Sequence, residues 1–124
     1  MIKKTDIKFI KEEYTKIQNF FLKGDFEKVI QKTKILIKKD SSQTTFYNLI
    51  GLSYKQLENY EMAEKTFKSG LKVKPNSPSI LCNLGSLYRN WGKFDEAKEN
   101  FERALEINSN DVNVLTNYAN LKRD

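Results

Sequence analysis

The sequence predicts an all-α fold in which antiparallel pairs of helices stack side by side. The main observation is that a large aliphatic residue followed by glycine occurs twice, at Ile50-Gly51 and again at Leu84-Gly85. The residues after each glycine recur in the same register, with Tyr54, Ala63, Phe67 and Gly70 matched by Tyr88, Ala97, Phe101 and Ala104. Small residues allow two helices to cross closely and aromatic residues fill the gaps, so this alternation indicates a repeated helical hairpin.

The pattern resembles the tetratricopeptide repeat, a helical hairpin of about 34 residues with Leu-Gly, Tyr, Ala, Phe, Ala and Pro at fixed positions. Residues 44–77 fill it with Tyr47, Ile50, Gly51, Tyr54, Ala63, Phe67, Gly70 and Pro75. Residues 78–111 fill it with Leu81, Leu84, Gly85, Tyr88, Ala97, Phe101 and Ala104, and Ser109 replaces the proline. The resemblance implies about three repeats, followed by the first helix of a fourth, stacked into a right-handed superhelix.

Residues 10–43 are interpreted as a divergent first repeat, with helices expected at 5–22 and 25–39 and residues 1–9 extending the first helix. Ile17 falls at the glycine position and Thr33 at the phenylalanine position, so only the apolar character of the pattern survives. Terminal repeats are atypical because one of their faces meets water. A hairpin is still expected, because the turn sequence Lys23-Gly24-Asp25-Phe26 has a counterpart two repeats later in Trp91-Gly92-Lys93-Phe94.

Repeats 44–77 and 78–111 are expected to contain helices at 44–56, 60–73, 78–90 and 94–107. Ser77 and Pro78 suit a helix start, as the cap and the first-turn proline, and the segment Asn108-Ser109-Asn110-Asp111 suits the next start. We interpret Trp91, at a hairpin turn, as a lid on that hairpin; an exposed contact is the alternative.

The last predicted helix, 111–123, belongs to a fourth unit, residues 112–124. Its Val114 and Leu121 occupy the face that we expect to pack on the second helix of the same hairpin, and here no such helix follows. We therefore expect these two side chains to be exposed, to contact another copy of the chain in self-association, or to be covered by a longer natural chain. Truncation of a longer chain is the favoured interpretation, because residues 120–124 show no capping pattern.

The composition argues against catalysis and against a bound cofactor or metal within these residues. The sequence has no histidine, which removes the commonest general base and nitrogen ligand, and its single cysteine cannot form an internal disulfide. No apolar segment of the kind found in secretory signals follows the N-terminus. We therefore expect a non-enzymatic protein in a reducing, cytoplasmic location.

The net charge of +6 is concentrated in residues 1–40, which hold eleven lysines against six acidic residues. One interpretation is attraction to nucleic acid or to an anionic lipid surface. We favour a compositional origin, because these lysines alternate with acids and no arginine cluster accompanies them. Nucleic-acid binding is therefore not the leading prediction.

The resemblance implies that the first helix of each unit lines a concave groove, the usual binding surface of the family. Helical geometry places Lys55, Arg89 and Arg123 in that groove, each one repeat length after the last, as a cationic row. Asn83 and Asn117 form a second row, with Asn48 one residue out of register and Asn120 beside it, and Ser86 is also expected to line the groove. Asparagine amides suit capture of a peptide backbone, and cations add a preference for carboxylates or phosphates.

The asparagine row is similar to the ladder in the repeat domains of the O-linked N-acetylglucosamine transferases. The alternative is that these side chains are polar only because the groove is filled with solvent. Family members that hold the Glu-Glu-Val-Asp tail of heat-shock chaperones use Lys, Asn, Asn, Lys and Arg. The corresponding positions here are Tyr14, Gln18, Leu49, Ser79 and Asn83, so that specificity is not predicted. Cys82 also projects toward the groove, and we interpret it as structural.

The leading hypothesis is a protein–protein interaction scaffold that binds an extended partner segment in the groove. The first alternative is the substrate-guiding repeat arm of a larger transferase, whose catalytic domain would lie elsewhere. The second is a basic binder of nucleic acid or of a membrane surface, which salt would weaken. Fold alone does not identify the partner.

Overall fold

The computed structural model describes residues 2–123 and confirms an all-α helical-repeat solenoid. The described residues form seven helices: α1 (Lys4–Leu22), α2 (Phe26–Lys39), α3 (Thr44–Gln56), α4 (Tyr60–Val73), α5 (Pro78–Asn90), α6 (Phe94–Ile107) and α7 (Val112–Arg123). Each boundary lies within one residue of its predicted position. Helices α1/α2, α3/α4 and α5/α6 form hairpins, and α7 packs on α5 and α6.

The helix starts follow the predicted capping chemistry. Ser77 Oγ accepts a hydrogen bond from the Ile80 amide at 3.4 Å, and Pro78 occupies the first turn of α5. Asp111 Oδ1 accepts from the backbone amides of Asn113 at 3.0 Å and Val114 at 3.3 Å, which caps α7. Amide groups that a helix start leaves without a backbone partner are thereby satisfied.

The turn inside each hairpin has one residue with a left-handed backbone. These residues are Gly24, Glu58 and Gly92, spaced by the repeat length, with φ angles of 78°, 60° and 80°. In each turn the following amide bonds back to the carbonyl five residues earlier, as from Lys93 to Tyr88 at 2.8 Å. Glycine adopts this conformation without steric cost, whereas Glu58 adopts it with a strained β-carbon.

The two helices of a hairpin approach closely where glycine faces phenylalanine. A β-carbon on Gly51 would overlap the Phe67 ring, and one on Gly85 would come within 2.5 Å of Phe101 Cε1. In the first hairpin the large and the small residue change places: Ile17 of α1 stands at the glycine position and Thr33 of α2 at the phenylalanine position. Both are fully buried. The same space is filled from α1 instead of α2, which explains why the repeat pattern is lost there without loss of the hairpin.

The prediction that Val114 and Leu121 present an uncovered face is wrong. Val114 is fully buried and Leu121 is 9% exposed, and both belong to the core cluster built by α4–α7. The error lies in the assigned neighbour: the equivalent residue of α5, Ile80, lies against Gly70 of the preceding hairpin's second helix, α4. Val114 and Leu121 are covered for the same reason, so they offer no surface for self-association.

Trp91 is packed at the turn of the third hairpin, but its ring contacts lie on α4 and α5 rather than on both helices of that hairpin. Its ring stacks on Tyr88, with 6.4 Å between ring centres and 17° between planes, and it also contacts Tyr60 at 5.8 Å. Lys93 Nζ lies 3.8 Å from the centre of the Trp91 ring. The indole therefore joins α4 to α5 at the hairpin turn.

Candidate binding groove

The first helices of the hairpins, α1, α3 and α5, and the following helix α7 line one side of the solenoid, and we call the surface that they form the groove. Contacts join α3 to α5 and α5 to α7. The side chains that bridge neighbouring first helices are separated by 31 or 35 residues, two spacings that differ by about one helical turn. Two pairs of each kind recur in the polar part of the groove.

Asn48 and Asn83 meet across α3 and α5. The Asn83 side-chain amide donates to Asn48 Oδ1 at 2.8 Å, and the Asn48 amide donates to Ser79 Oγ at 3.1 Å. Ser79 Oγ lies 3.2 Å from Ser77 Oγ, so the chain of hydrogen bonds reaches the cap of α5. Both asparagines are half-buried and their amide planes are fixed by these partners.

Asn117 repeats this contact one unit later, with Cys82 in place of an asparagine. The Asn117 amide donates to the Asn113 carbonyl at 2.8 Å and lies 3.7 Å from Cys82 Sγ. The structure therefore pairs Asn48 with Asn83, and Cys82 with Asn117, in two contacts that each join positions 35 residues apart. Burial, followed by the charge of Asp111, raises the pKa of the Cys82 thiol, which keeps it protonated and weakly nucleophilic.

Lys55 extends from the end of α3 to α5. Its Nζ donates to Ser86 Oγ at 2.8 Å, and the side chain is half-buried. Burial lowers the pKa of Lys55, and the neighbouring Arg89 charge acts in the same direction. Within residues 2–123, the ion pairs involve other lysines, so the Lys55 charge faces a hydroxyl group rather than a carboxylate.

Arg89 lies half-buried on α5, where its charge acts on Lys55, and the last two predicted residues lie on α7. Asn120 is half-buried and Arg123 is exposed, at the positions of α7 equivalent to Ser86 and Arg89 of α5. The eight predicted residues thus occupy corresponding turns of three neighbouring helices, and contacts within the set join Asn48 to Asn83 and Lys55 to Ser86. The eight predicted residues include the three cations Lys55, Arg89 and Arg123 and no acid.

Sequence analysis named no groove residue on α1, which contributes a largely apolar part of the groove. A cavity of about 210 Å³ between α1 and α3 is lined by Tyr14, Gln18, Phe21, Leu22 and Leu49. The positions one repeat before Asn48 and Lys55 are Tyr14 and Phe21, so the repeat spacing itself was the available signal. The divergence of the first repeat obscured it, because an aromatic residue there stands where later repeats have a polar one.

The described residues also limit the chemistry available. No group of three or more His, Cys, Asp or Glu side chains in residues 2–123 is arranged to hold a metal ion. Over the same stretch, none of the helices combines the length and apolar character needed to cross a lipid bilayer.

Family models of the tetratricopeptide repeat (TPR) match residues 44–77 and 78–111, more than half of the chain. No curated protein sequence matches it. Among solved structures, it is similar to the second TPR domain of human RPAP3, with 22% identity and a TM-score of 0.80 over 90% of this chain and 93% of that one. It is also similar to the type III secretion chaperone SycD of Yersinia enterocolitica, with 16% identity and a TM-score of 0.82 over 94% of both chains. A TPR protein of Thermus thermophilus shares 26% identity and gives a TM-score of 0.75, over 82% of this chain and 52% of that one.

Proposed function

Because the chain belongs to the tetratricopeptide repeat family, we propose that it is an interaction scaffold whose groove binds an extended segment of a partner protein. The observation that carries this proposal is the half-buried Lys55, held by Ser86 and facing no carboxylate in residues 2–123. A carboxylate of a bound segment supplies the counter-charge that this position lacks. The preferred ligand is therefore an extended peptide with at least one acidic side chain.

The asparagine pair beside Lys55 suits the backbone of such a peptide. Asn83 donates one amide hydrogen to Asn48 and retains a second donor and a carbonyl acceptor. Because Asn48 and Ser79 already fix the geometry, little side-chain entropy is lost when a peptide backbone binds there. Backbone capture is tolerant of peptide sequence, so Lys55 contributes the selectivity.

Structural relatives support this type of ligand. The second TPR domain of RPAP3 was solved with the HSP70 peptide SGPTIEEVD, and the first TPR of Spaghetti was solved with the HSP90 peptide SRMEEVD. SycD was solved with a peptide of the translocator YopD. The groove of this chain differs from a chaperone-tail clamp, since Tyr14, Ser79 and Asn83 stand where that clamp has lysine or arginine, and Leu49 stands where it has asparagine. We therefore propose peptide binding without specificity for that tail.

The test begins with selection of displayed random peptides of about twelve residues, which span about 40 Å when extended, on the purified chain. Affinity of a selected acidic peptide is then measured by fluorescence anisotropy for the wild-type protein, Lys55→Glu and Lys65→Glu. Lys65 is an exposed lysine on α4, away from the groove, and provides the matched charge reversal.

We expect Lys55→Glu to weaken binding at least tenfold, while Lys65→Glu binds like the wild type. Thermal melting followed by circular dichroism checks that both variants keep the helical fold. Equal affinity of the two variants, with both folded, would place the peptide outside the groove and contradict the proposed function.

A further inference from the structure

Helix α1 begins earlier than the repeat register requires. It starts at Lys4, six residues before the position equivalent to Thr44, the first residue of α3. The additional turn places Ile7 where the second repeat has Ser41, a residue of the α2–α3 loop. This extension therefore adds an apolar side chain at one end of the groove, where the second repeat has a polar one.

The extension is held against the end of α2. Lys39 Nζ lies 3.3 Å from Asp6 Oδ1 and 5.1 Å from the centre of the Phe9 ring. An exposed ion pair alone contributes little, but the ion pair and the cation–π contact share one ammonium group and fix the direction of the extra turn. Ile7 and Ile10 are thereby positioned relative to α3.

A pocket of about 290 Å³ lies between this extension and the start of α3. Its apolar wall is formed by Ile2, Ile7, Ile10, Tyr14 and Phe46. The polar side chains that also line it are Lys11, Asp40, Gln43 and Thr45. The Asp40 carboxylate at the rim already accepts from the Ser42 hydroxyl at 2.6 Å, the Ser42 amide at 3.1 Å and Gln43 Nε2 at 3.1 Å. The acid at the rim is thus satisfied within the loop, and the interior favours an apolar occupant.

The pocket adjoins the groove at Tyr14. Tyr14 lines both this pocket and the cavity that it forms with Gln18 and Leu49, and its ring lies 6.2 Å from that of Phe46. Lys55 lies nine residues beyond Phe46 on α3, which is about 13 Å along the helix axis, and its partner Ser86 is on the next first helix, about 10 Å away. Combining the two distances, Phe46 at the pocket and Ser86 beside Lys55 are about 17 Å apart, which is the length of about five extended residues.

We propose that this pocket binds a large aliphatic or aromatic side chain of the same peptide whose acidic side chain meets Lys55, about five residues away. The inference rests on the proposed function and specifies its ligand: an extended acidic segment with one apolar anchor. The two ends of the groove differ accordingly: the α1 end is largely apolar, although Lys11 and Asp40 also line the pocket, and the other end carries Lys55 and Arg89. The pocket sets the direction in which the peptide lies, because the two ends recognise different chemistry.

The experiment uses the peptides selected on the wild-type chain and two isoleucine variants. Ile7→Gln makes the pocket wall polar at a side chain that is 43% exposed, so folding is retained. Ile35→Gln is the matched control, because Ile35 is 51% exposed on α2 and does not line the pocket. Each variant is measured with a selected peptide and with the same peptide carrying alanine at its apolar anchor.

We expect the selected peptides to share an apolar residue four to six positions from an acidic one, and Ile7→Gln to weaken their binding about tenfold. Alanine at the anchor should weaken binding to the wild type and to Ile35→Gln, but have little further effect on Ile7→Gln, as in a double-mutant cycle. Selected peptides without a shared apolar position, or equal affinity of the two isoleucine variants, would overturn the inference. Either result is distinct from failure of the proposed function, which is read from Lys55→Glu.

Discussion

Gly85 of α5 lies directly against the Phe101 ring of α6, so that a β-carbon on Gly85 would come within 2.5 Å of Phe101 Cε1. Phe101 is fully buried, so its ring is enclosed by its neighbours. The close approach of the two helices therefore depends on the absence of a side chain at one position and on a large ring at the other. Gly51 and Phe67 have the same relationship one repeat earlier.

Gly85→Ala should lower the free energy of unfolding by about 1 kcal/mol. Overpacking of a filled core costs about 1–3 kcal/mol, which exceeds the gain of up to about 1 kcal/mol from placing alanine instead of glycine in a helix. Urea denaturation of the single variant measures the loss. Phe101→Leu in the same background should recover part of it, because the shorter side chain leaves room for the methyl group; an unchanged or higher stability of Gly85→Ala would contradict this account.

Glu58→Gly should raise the free energy of unfolding by about 0.5–1 kcal/mol. Glu58 has a φ of 60°, where a β-carbon is strained, and Gly24 and Gly92 occupy the equivalent turns. Gly92→Ala should lower stability by about 1 kcal/mol although nothing lies within 4 Å of the added carbon, because its φ is 80°. Glu61→Gly, in the first turn of α4, serves as the control and should be destabilising; a loss of stability in Glu58→Gly as well would refute the strain argument.

The helices and the glycine–phenylalanine contacts were predictable because they depend on residue spacing within one repeat. The left-handed backbone of Glu58 could not be predicted from the residue type, because glutamate does not favour that conformation. The only signal is that Glu58 lies one repeat length from both Gly24 and Gly92. The contacts between groove residues could not be predicted from the repeat spacing, because neighbouring helices bring together residues 31 or 35 apart, an offset set by how the helices pack rather than by the repeat length. Asn48 therefore contacts Asn83, and the equivalent Cys82 contacts Asn117.

Thr33→Val should raise the free energy of unfolding by about 1 kcal/mol. The Thr33 hydroxyl is fully buried, and it has no hydrogen-bond partner among residues 2–123. Replacing it with a methyl group of similar size removes the cost of an unsatisfied polar group. Ser53→Ala is the control, because the Ser53 hydroxyl is also buried but donates to the Leu49 carbonyl at 2.7 Å; a gain of equal size in both variants would show that the missing partner is not the cause.

Cys82 should react slowly with iodoacetamide in the native protein, and the pH at which its rate reaches half its maximum should lie above that of the urea-unfolded chain. Burial is the main reason, because it disfavours the thiolate and raises the pKa of the thiol. Mass spectrometry of alkylated samples across a pH series gives both midpoints. A native midpoint at or below the unfolded one would mean that Cys82 is an activated thiol, against its assignment as a structural residue.

Lys55→Met should make the free protein slightly more stable, by roughly 0.5 kcal/mol after solvent screening, while it abolishes selection for acidic peptides. The folded state disfavours the charged form of Lys55 through burial and through Arg89, as the lowered pKa indicates. A charged side chain that lowers the stability of the free protein is expected to be kept only where it binds a ligand. A binding role for Lys55 therefore predicts that its substitution raises stability and weakens binding. Urea denaturation and peptide anisotropy measure the two quantities, and Lys65→Met, an exposed site, should change neither. If Lys55→Met lowers stability and leaves acidic-peptide affinity unchanged, the Lys55–Ser86 contact stabilises the fold and has no part in recognition.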